Sequence, residues 1–137
     1  MRELKKAIWI CYIIQAALII LFVLILVLNK ILSSQGIVPI PLSPWIIPIV
    51  FPMNYVLCII LFITAFSRTL RKTDPDLYDD LIGQSPLSFI SYRGWGFAFK
   101  GDCGNEAVNK LRTYARSYYL LIFIIFMEVV FASLILN

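Results

Sequence analysis

AIWICYIIQAALIILFVLILVL, Ala7–Leu28, is a stretch of 22 residues without a charge. At about 1.5 Å rise per residue such a run crosses the roughly 30 Å hydrocarbon core of a bilayer as a helix. Two further runs follow, Trp45–Phe66 and Tyr118–Leu136, of 22 and 19 residues. The fold class this predicts is an all-α membrane protein with three transmembrane helices, spans 7–28, 45–66 and 118–136. The twelve Lys and Arg are divided unevenly around them. Arg2, Lys5 and Lys6 precede the first span, eight lie between the second and third, and Lys30 alone lies between the first and second. Basic residues stay on the cytoplasmic side. The expected topology therefore has the amino terminus and the 67–117 loop inside, the 29–44 loop and the carboxyl terminus outside.

Composition agrees with that class. The chain is 61% apolar and 15% charged, with mean hydropathy +0.87. Its 137 residues leave room beside three spans for one small structured loop and no separate catalytic domain. The charge of +4 is explained by topology and by attraction to anionic lipid. No basic-aromatic module for nucleic acid is recognisable, and none is expected as a partner. The first run is longer than the 7–15 residues of a signal-peptide core and no small-residue cleavage site follows Leu28, so it reads as a permanent span. Cys11 and Cys58 fall inside spans and Cys103 in the inner loop, without C-x-x-C spacing. With no histidine either, no metal and no cofactor are expected.

The loops carry their own signals. The outer connection contains Pro39, Pro41 and Pro44, which favour an extended backbone along the outer membrane surface or against a partner. Ser43 followed by Pro44 has the form of a helix start. Pro48 and Pro52, one turn apart, favour a bend in the second span. Within the inner loop, Asp74-Pro75 followed by a Gly83 stop predicts a short helix whose Leu77, Tyr78, Leu81 and Ile82 side docks on the spans. Trp95, Phe97 and Phe99 alternate with small or polar residues, which suggests a short extended piece. From Asn105 a helix should run unbroken into the third span, with Glu106 paired to Lys110. Trp45, Trp95, Phe97, Phe99, Arg112 and Arg116 are the candidates for a membrane-interface layer or a partner-docking surface.

Chemistry has few places to hide. Catalysis lacks histidine, a nucleophile beside a base, or a phosphate loop, so no enzyme and no catalytic residue is expected. The polar residues inside spans are Gln15, Asn54 and Glu128. Glu128 is costly there unless neutral or paired. Counted from the outer ends, Glu128 and Asn54 lie about 12 and 14 Å deep, so a hydrogen bond between them is expected. Gln15, closer to the inner side, is expected to stand too far away to join. The alternatives for Glu128 are contact with another subunit or a part in proton or ion movement. A pore needs a polar stripe, and each span carries only one strongly polar interior residue.

The stretch Leu70–Gly83, with its Asp74-Pro75-Asp76-Leu77-Tyr78 core, then Gly101-Asp102 and Leu111-Arg112 entering a terminal span, resembles the small bacterial inner-membrane proteins typified by universal stress protein B. The resemblance covers about residues 66–136; the Ala7–Leu28 span and the proline-rich loop are additions to it. It implies a location in the bacterial inner membrane and transfers no active site. Together these readings lead to an expected role as a non-catalytic accessory or scaffold subunit of a larger membrane-protein complex. The alternative is a homo-oligomeric transporter or ion-conducting element using Glu128.

Overall fold

The computed structural model describes residues 1–38, 46–83, 85, 89–102 and 104–136, with the side chains of 46–49, 51 and 136 left out. The expectations for Trp45, Cys103, the three loop prolines and the Ser43–Pro44 start fall outside the described residues, as does the Pro48 side chain. All regular structure described is helical: α1 Arg2–Ser34, α2 Ile46–Thr73, α3 Pro75–Leu81, α4 Tyr92–Phe99 and α5 Glu106–Leu136. Three of these helices, α1, α2 from Pro52 onward, and α5, are long and apolar enough to cross a membrane.

The helices overrun the apolar runs that predict them. α1 begins before Ala7 because Leu4 is buried against the bundle and Lys and Glu are good helix formers. It continues past Leu28 to Ser34 and stops at Gly36, whose φ of +72° suits glycine. The Ile37 N–H then bonds back to the Leu32 carbonyl at 3.0 Å, which closes the helix end. α2 passes through Pro52 and extends beyond Phe66 to Thr73, since Leu70 is fully buried. α3 starts as its sequence predicts: Asp74 accepts from the Leu77 N–H at 3.0 Å and Pro75 takes the first helical position.

α1, α2 and α5 pack mutually, α3 leans on α2 and α4 on α5. The main core lies at the end of the bundle where most basic residues sit, here called the basic end. Phe62 stacks on Tyr118 with ring centroids 4.1 Å apart and an interplanar angle of 4°. Phe66 and Phe89 meet at 4.4 Å. Phe89, from the turn before α4, is fully buried and acts as a plug between α2 and α5. Aromatic pairs at such separations add about 0.5–1.5 kcal/mol beyond the area they bury. Leu81 and Ile82 join the same cluster, with Leu77 and Tyr78 partly buried beside it, so α3 docks through the side its pattern predicts.

Away from the basic end the packing thins. The buried positions of α1 are Leu4, Ala7, Ile8, Cys11 and Gln15, a stripe at helical spacing. None of residues 16–34 is buried.

Candidate functional site

The buried stripe of α1 ends in a polar ladder that joins all three long helices. Cys11 and Gln15 are one turn apart on α1, and Asn54 and Cys58 one turn apart on α2, running the other way. Antiparallel helices in this register bring Cys11 to Cys58 and Gln15 to Asn54. The Cys11 thiol donates to the Cys58 carbonyl at 3.9 Å, and the Cys58 thiol to Asn54 Oδ1 at 3.6 Å. Asn54 Nδ2 donates to Gln15 Oε1, and Gln15 Nε2 donates to Glu128 Oε2 on α5. Every donor in the series points toward Glu128. Nearby, the Tyr12 hydroxyl donates to the Ser117 carbonyl at 2.9 Å, a second tie between α1 and α5.

This arrangement corrects two expectations. Glu128 and Asn54 are not directly bonded, because Gln15 stands between them. Gln15 is also not too far away. Depths taken from opposite surfaces hide the match, whereas from the inner ends of their runs, Ala7 and Tyr118, Gln15 and Glu128 stand about 12 and 15 Å deep. That difference is well within the reach of two long side chains. Gln15 is only 2% exposed, and its amide supplies both the acceptor Asn54 needs and the donor Glu128 needs. The second carboxyl oxygen of Glu128, Oε1, is buried and has no hydrogen-bond partner among the described residues.

At the basic end the predicted interface residues separate into two groups. The alternation of Trp95, Phe97 and Phe99 does not form an extended piece; these residues belong to α4, capped by the Ser91 hydroxyl accepting from the Arg93 N–H at 3.4 Å. Gly94 and Ala98, one turn apart, are the buried small face of that helix. Gly94 makes the close approach: a Cβ there would lie 1.7 Å from the Phe89 carbonyl oxygen and 2.6 Å from the Tyr119 hydroxyl. That hydroxyl in turn donates to the same carbonyl at 2.8 Å. Phe97 therefore points into the core at 5% exposure and is no interface residue. Trp95 and Phe99, one turn apart on the outer side, remain exposed and pack on each other at 4.3 Å.

The two arginines also differ. Arg112 is buried and not on a docking surface: it donates to the Gly101 carbonyl and, at 3.4 Å, to Asn109 Oδ1, with its guanidinium 5.4 Å from the Phe97 ring centroid. The planar guanidinium thereby ties the Gly101 loop to the start of α5 beside the Phe97 ring. Arg116 is exposed and closes the end of α4, donating to the Ala98 carbonyl at 2.7 Å and the Lys100 carbonyl at 3.4 Å. Trp95, Phe99 and Arg116 line a cavity of about 700 Å³ with Leu120 and Phe123 of α5.

Chemically, the ladder holds one carboxyl, two amides and two thiols. Among the described residues no group of three or more His, Cys, Asp or Glu could hold a metal ion. Sequence spacing misses Gln15 as the bridge and Gly94 as the packing contact. The first is visible once depths share one reference surface, and the second only once Phe89 is seen to fold under α4. Comparison with known family models, curated proteins and solved structures gives no match.

Proposed function

We propose that the protein is an integral membrane protein of a bacterial inner membrane, with its amino terminus and basic end in the cytoplasm. We further propose that it serves as a non-catalytic accessory or scaffold subunit of a larger membrane complex. The observation that carries this reading is the outer half of α1. From Ala16 to Ser34 no residue is buried, and Ile20, Leu24 and Ile31 are 60%, 59% and 49% exposed. Membrane helices associate through close packing and hydrogen bonds rather than through hydrophobic drive. The inner half of α1 has both, through Cys11 and Gln15. Among the described residues, the outer half packs chiefly where Phe22 meets Ala132. The exposed pair Ala16 and Ala17 would let a partner helix approach α1 closely. The resemblance of residues 66–136 to the universal stress protein B group belongs to the same proposal.

Purification of the tagged chain in gentle detergent, followed by mass spectrometry of what comes with it, tests the reading. A stoichiometric integral-membrane partner is expected; a chain that runs alone or only with itself contradicts it. The second reading, a homo-oligomeric transporter or ion-conducting element, is favoured by one observation, the buried Oε1 of Glu128 that has no partner among the described residues. Flux in reconstituted vesicles that Glu128→Gln abolishes would support it, and no flux would end it.

A further inference from the structure

The groove between the first turns of α1 and the last turns of α2 carries a graded lining. On α1, Arg2, Lys6 and Ile10 follow one another at one-turn spacing. On α2, Ile60, Thr64, Arg68 and Lys72 do the same in the opposite direction. Both rows line one cavity of about 860 Å³, with Ala7 and Ala65 between them. Because the helices are antiparallel, the four cations gather at the basic end and the two isoleucines at the apolar end.

Four cationic side chains face one acidic side chain, Glu3, across this cavity, a side-chain surplus of three positive charges. The ion pair present joins Lys110 to Glu106 elsewhere, so none of the four is held in an ion pair among the described residues. All four are exposed, and Ile10 and Ile60 are 47% and 57% exposed at the other end. In a bilayer the isoleucine end faces hydrocarbon and the cationic end the headgroups, so a phosphate with an acyl chain below it matches the gradient along its whole length. The small side chains of Ala7 and Ala65 leave the depth a chain would need.

We propose that this groove is a binding site for an anionic phospholipid of the leaflet on the basic side. Arg2, Lys6, Arg68 and Lys72 surround the phosphate headgroup, and an acyl chain lies against Ile10 and Ile60. The inference rests on the chain being membrane-embedded and goes beyond the subunit reading, since a lipid site needs no partner protein.

The test is native mass spectrometry of the full-length protein in detergent, titrated with phosphatidylglycerol or phosphatidylcholine of matched chains. Phosphatidylglycerol should be retained preferentially. Arg68→Gln with Lys72→Gln should lower its retention roughly 25-fold, about fivefold per cation near an anionic headgroup. Arg93→Gln with Lys100→Gln, the same change of charge on and beside α4, should leave retention near that of the parent. Ile10→Trp keeps every cation but fills the apolar end, and should also weaken retention, which keeps the site testable if the charge variant folds poorly. Equal retention of the two lipids overturns the proposal. So does an equal loss in the α4 variant, which would make the preference a matter of net charge alone.

Discussion

The side-chain amide of Gln15 donates to the Glu128 carboxylate and so ties the first helix of the bundle to the last. With Asn54 donating to the same amide, one residue of α1 satisfies polar groups on both other long helices. In an apolar surrounding an orphaned polar group costs more than a hydrogen bond gains, which makes Gln15 the member whose loss is felt most.

Gln15→Leu keeps the volume and takes the partner from Asn54 Nδ2 and Glu128 Oε2, so it should destabilise the bundle by about 1–3 kcal/mol. Glu128→Gln retains a carbonyl oxygen to accept from Gln15 and should cost less than about 1 kcal/mol. Helicity followed through thermal unfolding in detergent checks both. The reverse order of severity would remove Gln15 from the centre of the bundle.

Gly94 and Gly96 lie two residues apart in α4 and should respond in opposite directions. Gly94→Ala places a Cβ 1.7 Å from the Phe89 carbonyl oxygen, so α4 or the Phe89 turn must shift. Overpacking of this kind costs about 1–3 kcal/mol or more. A Cβ at Gly96 meets nothing within 4 Å, and Gly96→Ala should stabilise by about 0.5–1 kcal/mol through helix propensity. The same unfolding measurement compares them, and equal effects would mean that α4 does not sit on Phe89.

Glu106 and Lys110 form an exposed pair at 2.5 Å, twelve and eight residues before the apolar part of α5 begins at Tyr118. The hydrogen bond and the charge of the Lys110 ammonium hold the Glu106 carboxyl below its ordinary value. A lowered carboxyl pKa contributes stability above the unfolded value and loses it as pH falls through the folded one. Being fully solvated, the pair contributes little. Lys110→Gln should move the Glu106 carboxyl-carbon titration in NMR up toward about 4.3, and an unmoved titration would show that the pair does not form in solution.

The proposed orientation has its own test. In a chain with Cys103 replaced by Ser, Ser34→Cys should react with a membrane-impermeant maleimide on intact cells, and Tyr92→Cys only after permeabilisation. Both positions are exposed in the fold, so access decides the outcome. The opposite pattern would invert the topology.

Much of the architecture is legible in the residues, and the failures share a cause. Uninterrupted apolar runs announce the long helices because nothing but a helix satisfies its backbone over such a length in lipid. Asp74-Pro75 announces α3 because cap and proline act locally. α4 is not legible, because Trp95, Phe97 and Phe99 alternate as a strand would. Its helical character shows only in the pairing of Gly94 with Ala98 and of Trp95 with Phe99, one turn apart each. Arg112 looks like an interface residue for the same reason: a local pattern cannot show that the Gly101 carbonyl folds beneath it. The ladder depends on register among three helices, so a polar residue read against the wrong surface is placed a turn or more from its partner.

The most direct measurement is a double-mutant cycle between Gln15 and Glu128, using Gln15→Leu, Glu128→Leu and the pair, with unfolding free energies measured in detergent or bicelles. The bridge predicts that the two singles together cost more than the double, by about 0.5–2 kcal/mol. Strictly additive losses would show that the two side chains do not meet, and α1 and α5 would then be joined without this bond.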